Sequence, residues 1–202
     1  MRIEIVVFDG LDELDALAPF EILRHARNFG APLECALVTL EGAREVVGAN
    51  GLRFAAQGAL GTPDWIVVPG GGWLSRAEHG AWAEVQRGAL PRALAEARAR
   101  GAGLASVCTG AMVLGAAGLL RGRPATTHHD AHAALAEHGA VPVAARVVDD
   151  GDLVTAGGVT SGLDLALRLV ERIGGPELAD RVARHVEIPR APVHVGPNAL
   201  PG

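Results

Sequence analysis

The sequence predicts an α/β fold in which helices sandwich a mainly parallel sheet, and three observations predict it. Short apolar runs alternate with stretches of helical periodicity over most of the chain. The 202 residues, 49% hydrophobic and 20% charged, suffice for one sizeable core but not for two independent ones. Residues with chemical potential fall where strands end: Asp9 to Asp15, the glycines at 70–72, and Cys108. Open α/β sheets bind ligands outside the carboxyl ends of their strands, so these clusters are expected to converge on one site.

Residues 2–8 read as a buried first strand, and Leu14 to Ala26 as a helix with Leu17, Phe20 and Leu23 near one face. Pro19 falls early, where a helix tolerates it, and Gly30 can cap the C-terminus. Leu33 to Leu40 is a second strand. Ala43 to Phe54, with turn signals at Gly48 and Asn50-Gly51, is a hairpin excursion. Strand 65–68 ends at Pro69-Gly70-Gly71-Gly72, a helix runs from about Trp82 to Arg100, and a strand leads into Cys108 and a helix to about Leu119. Pro124 to Thr127 is a short strand and Ala131 to His138 a helix. Ala145 to Val148 and Leu153 to Ala156 are strands around an Asp150-Gly151 turn. Val159 to Ile173 and Glu177 to Val186 are the last helices. One domain, residues 1–188, is expected, followed by a loop tail, 189–202.

The net charge is −5, and all 18 basic residues are arginine with no clustered block. Nucleic acid and anionic membranes are therefore not expected partners. Residues 1–10 are too short and too charged for a signal peptide, so a cytoplasmic location is expected. Cys35 and Cys108 lie in separate elements with no CxxC or Cys/His spacing, which suggests neither a disulfide nor structural zinc.

Cys108 stands where an apolar strand runs into a small-residue helix. A thiol there feels unpaired backbone N–H groups and the positive end of the helix dipole, both of which favour thiolate. The junction has the character of a nucleophile elbow, which presents a side chain above the sheet. Cys35, mid-strand among Ala36, Leu37 and Val38, reads as core. The triple glycine offers backbone N–H groups for developing negative charge, with Gly71 and Thr109 as the expected oxyanion donors and Gly72 beside them. Asp15 is either a first-turn helix acid or a carboxyl that shares a proton with the thiol. Glu21 is off its helical face and reads as structural. His128 and His132, spaced i, i+4, read as a cap and a surface face, so no metal site is expected. His128 or His129 can still line the pocket and assist Cys108. Gly157-Gly158-Val159-Thr160-Ser161-Gly162 precedes a helix without the lysine of a phosphate loop, and reads as close loop–helix packing.

Taken in order, Phe8-Asp9-Gly10, Leu14-Asp15 with Pro19 and Glu21, Val68 to Gly72, Val107 to Ala111, Gly118 to Arg123, Ala125 to His128 and Gly157 to Gly162 resemble the ThiJ/PfpI superfamily, in spacing its isonitrile hydratase branch. The resemblance covers nearly the whole chain. It implies a flavodoxin-like, class I glutamine amidotransferase-like three-layer sandwich, a homodimer and no cofactor. It further implies that Cys108 attacks the carbon of a small electrophilic isonitrile, while Asp15 acts as acid/base and water releases an N-substituted formamide. Thr109 stands where protease-like relatives have a histidine after the cysteine, which argues against peptidase chemistry. His129 replaces a tryptophan common in that branch, and Glu187-Ile188-Pro189-Arg190 replaces a more acidic, aromatic ending. The same domain type occurs in regulators fused to a helix-turn-helix module, for which the expected tail is too short. Glyoxalase- or deglycase-like chemistry through the same thiol and a cysteine redox sensor are the alternatives.

Overall fold

The computed structural model describes residues 1–199. In chain order its strands are β1 (Arg2–Val6), β2 (Glu34–Thr39), β3 (Glu45–Val47), β4 (Arg53–Ala55), β5 (Gly58–Ala59), β6 (Trp65–Val68), β7 (Gly103–Val107), β8 (Pro124–Ala125), β9 (Val141–Pro142), β10 (Val147–Asp149), β11 (Leu153–Ala156) and β12 (Val193–Val195). The helices are α1 (Glu13–Asn28), α2 (Ala81–Arg87), α3 (Ala89–Ala99), α4 (Gly110–Ala116), α5 (His132–Glu137), α6 (Ser161–Gly174) and α7 (Pro176–His185).

Eight strands make the central sheet in the order β12-β10-β11-β7-β6-β1-β2-β5. Every pair is parallel except β10–β11. Parallel strands covered on both faces read as continuous apolar runs, and Ile5, aligned with Leu37 on one side and Val67 on the other, is fully buried. Helices α1, α6 and α7 pack as one group and α2 to α5 as another, flanking the sheet as an α/β sandwich. The predicted fold class is the observed one.

Several boundaries differ from expectation. Helix α1 starts two residues after Leu11, with Asp12 as N-cap accepting from Leu14 N–H at 3.2 Å. Asp15 is therefore inside the first turn. The buried face of α1 is Ala16, Pro19, Ile22, Leu23 and Ala26, while Leu17 and Phe20 are only partly buried. Pro19 is inside the helix, where α6 approaches it at Gly162: a methyl there would stand 3.2 Å from the proline Cδ. The long helix expected over 82–100 is two helices, because Gly88 at φ 73° ends α2 and begins α3. The hairpin expected over 43–54 is β3–β4. Strand β5 has only two residues and no sequence pattern to announce it.

The tail expected as loop contains β12, which pairs in parallel with β10. Beyond it, Asn198 donates from its backbone N–H to Asp150 Oδ1 (3.0 Å) and from Nδ2 to Oδ2 (2.9 Å). The tail thus closes one edge of the sheet over a buried carboxylate that Arg123 Nε also reaches, at 2.7 Å.

Candidate active site

Strand β7 ends at Val107 and α4 begins at Gly110, so two residues turn the chain. Cys108 makes the turn with φ 54°, a left-handed conformation that costs a side-chain-bearing residue about 1–2 kcal/mol. The surroundings over-determine it. Its N–H donates to both Ala156 O (3.1 Å) and Gly157 O (2.8 Å), and its carbonyl accepts from Thr127 Oγ1 at 2.8 Å. Gly110 lies so close to the end of β6 that a methyl group would fall on the Val68 carbonyl. The elbow expected from the sequence is present, and the strain marks it as a built feature.

Asp15 is fully buried and its Oδ2 accepts from Gly70 N–H at 2.9 Å. Asp12 N–H donates to Gly70 O at 3.0 Å, so the first turn of α1 grips both polar groups of that glycine. Asp15 Oδ1 is buried without a hydrogen-bond partner, and the Cys108 thiol faces the carboxyl. Burial, and then the charge of Asp12, raise the Asp15 carboxyl well above the usual carboxylate range; the Gly70 N–H and the thiol oppose this without offsetting it. Burial, and then the Asp15 charge, push the Cys108 thiol up to about 12, against the backbone N–H groups of Val159 and Thr109 that face its sulfur. The thiolate expected from the helix end is therefore corrected. Desolvation in a site where Cys108 is 6% exposed outweighs the dipole of a seven-residue helix, so Cys108 rests as a neutral thiol, beside an Asp15 carboxyl that holds its proton more tightly than a free aspartate does.

The expected oxyanion pair also changes. Gly71 N–H is taken by Thr109 Oγ1 at 3.0 Å, and Gly72 lines a separate cleft of about 800 Å³ with Asp9, Gly10, Glu78 and His79. The donors that face the sulfur are Thr109 N–H and Val159 N–H. Sequence reading missed Val159, because a backbone donor leaves no trace in residue type. Its signal was the Gly157-Gly158 pair ahead of it. Val159 has φ 22°, and Gly158 is pressed against the His128 ring, where a methyl would lie 2.9 Å from Cδ2.

His128 and His129 line a cleft of about 550 Å³ together with Thr126, Thr127, Arg146 and Val159. Thr127 and Val159 are the links from that cleft to Cys108. Among the described residues no imidazole hydrogen-bonds to the thiol. The ligand atoms that gather here are those of His128, His129 and Asp130, and the expected i, i+4 pair with His132 is not part of the group. Glu21 is exposed and pairs with His25 at 3.6 Å, away from the site. Cys35 is buried in β2 and its thiol is also pushed up by burial to about 12. A polar cleft of about 600 Å³, lined by Trp65, Arg123, Asp152 and Arg172, sits at the opposite ends of β6, β7 and β11 and has no part in this chemistry.

The chain is 52% identical over 87 residues to the isonitrile hydratase of Pseudomonas putida, an alignment spanning 43% of this chain and 38% of that protein. It is 40% identical over 137 residues to an uncharacterized Streptomyces lividans protein from the cpoL 5′ region, across 67% of this chain and 92% of that one. A crystal structure of a ThiJ/PfpI family protein from Pseudomonas syringae superposes with a TM-score of 0.82 at 29% identity, covering 95% of this chain and 76% of that chain. The model of the DJ-1/PfpI family matches residues 1–172, the span that holds β1, the glycine turn, the cysteine elbow and the Val159 loop, and the chain belongs to that family.

Proposed function

We propose that this protein hydrates a small isonitrile to an N-substituted formamide. The observation that carries the reading is a fully buried Asp15 carboxyl, held by Gly70 N–H, against the Cys108 thiol at a strained elbow, with no imidazole bonded to the thiol among the described residues. The terminal isonitrile carbon accepts both a nucleophile and a proton, and this pair offers both. Cys108 sulfur forms a bond to that carbon as Asp15 delivers its proton there, and the thiol proton passes to Asp15. The product is a thioimidate, R–N=CH–S. Water then adds to the same carbon, Asp15 relays a proton to nitrogen, and the C–S bond breaks to return the thiol and R–NH–CHO. The N–H groups of Thr109 and Val159 stabilise charge on sulfur as it leaves. The 38% share of the Pseudomonas putida enzyme that aligns supports the same chemistry.

The test is formamide production from an alkyl isonitrile, followed by NMR. Cys108→Ala and Asp15→Asn are expected to lower turnover by roughly a thousandfold or more. Full turnover in either variant sinks the reading. Consumption of methylglyoxal without isonitrile turnover assigns the thiol to glyoxalase-like chemistry, and a stable sulfinate with no turnover makes it a redox sensor. The reading carries a cytoplasmic homodimer with it, to be checked by light scattering and fractionation.

A further inference from the structure

We propose that His128, His129 and Asp130 bind a divalent transition-metal ion of the zinc or cobalt type at the rim of the cleft that His128 and His129 line with Thr127 and Val159. The three side chains follow one another in the chain, and a 3₁₀ turn over His129–Ala131 folds them back on one another. Their ligand atoms all lie within 4.8 Å. His129 Nε2 is 3.3 Å from Asp130 Oδ1 and His128 Nδ1 is 3.7 Å from Asp130 Oδ2. Neighbouring ligands around a tetrahedral ion with bonds near 2.1 Å are roughly 3.4 Å apart, so each histidine nitrogen already stands near ligand spacing from one oxygen of the Asp130 carboxylate.

The imidazoles stack at 4.3 Å with 29° between their planes, and since a metal bond lies in the ring plane, the exposed His129 ring must swing out of this stack for both nitrogens to reach one ion. His128 is half-buried and fixed against Gly158, so little of its freedom remains to be lost. Its Nδ1 accepts from Asp130 N–H at 3.3 Å, a long hydrogen bond that a metal bond would replace. The side chains of His129 and Asp130 are 81% and 59% exposed, which leaves the remaining coordination positions to water. Two imidazoles and one carboxylate select borderline ions over magnesium and calcium, which take oxygen ligands. The competing explanation for the cluster is a surface turn whose side chains pair with one another and bind no metal.

The experiment is a Co²⁺ titration of the untagged full chain, read by visible absorption, with Zn²⁺ competition and equilibrium dialysis. The expected result is one saturable ion per chain with the weak bands of nitrogen and oxygen ligands. Zn²⁺ displaces it and Mg²⁺ does not. His129→Ala and Asp130→Ala each abolish binding, while His194→Ala, an exposed histidine of β12, retains it. Absence of saturable binding overturns the proposal. So does binding that survives both substitutions, or intense sulfur-to-metal charge transfer, which would put the ion on a cysteine.

Discussion

A third residue, Asp12, adds to the burial that shifts both the thiol and the carboxyl, and contributes no atom to the proposed reaction. Its charge raises both Asp15 and Cys108, and its side chain caps α1. Asn keeps the cap and removes the charge. Asp12→Asn is therefore expected to lower both groups and to speed Cys108 alkylation by iodoacetamide at pH 8 by about threefold; an unchanged or slower rate contradicts this. Asp15 also bears on stability. Its folded-state value is raised, so the fold binds that proton more tightly than the unfolded chain does. The associated stability is fully present below the unfolded value, near pH 4, and is lost as pH rises toward the folded value. The carboxyl is thus a cost at neutral pH. Asp15→Asn should raise the Tm by a few degrees at pH 7, and the gain should shrink at pH 4, as calorimetry would record. Residue types told which groups matter here, since a cysteine at a strand end and an acid near a glycine turn are visible in sequence. The direction in which burial moves their proton affinities was not visible, because desolvation depends on what the rest of the chain packs around them.

At the scale of elements, two glycines separate two reasons for being glycine. Gly88 has φ 73° with open space where a side chain would go, so Gly88→Ala costs only conformational strain, about 1–2 kcal/mol. Gly110 opens α4 with no room beside the Val68 carbonyl, so Gly110→Ala must push the helix off β6. It should cost about 1–3 kcal/mol from crowding alone and should also displace Thr109, so that activity falls more than for Gly88→Ala. Chemical denaturation beside turnover checks the pair; equal effects would mean the elbow tolerates movement. Helix and strand types were legible where periodicity ran for several turns, as in α1 and α6. Element ends were not, because Asp12 and Gly88 act through backbone geometry that the apolar pattern does not encode.

For the whole molecule, the sheet was legible because parallel strands buried on both faces leave apolar runs such as residues 65–68. The last strand was not legible. β12 carries only Val193, His194 and Val195 and takes its place through β10 and Asp150. Burial pushes Asp150 up, but the hydrogen bonds from Asn198 and the charge of Arg123 hold it below the ordinary aspartate value. Its stabilisation is present above the unfolded value, near pH 4, and is lost as pH falls through the folded value. Asn198→Ala, which removes the side-chain bond, should cost about 1–2 kcal/mol at pH 7, and the difference from the unmutated chain should narrow below pH 4. A constant difference across that range would show that the tail is held by packing instead.

That strand also sets an order of events during synthesis. β10 lies between β11 and β12, and its outer row of backbone donors and acceptors has no partner until residues 193–195 have left the ribosome. Until then the nascent chain carries the proposed catalytic elbow complete, with one sheet edge open to pairing with a neighbouring chain on the same message.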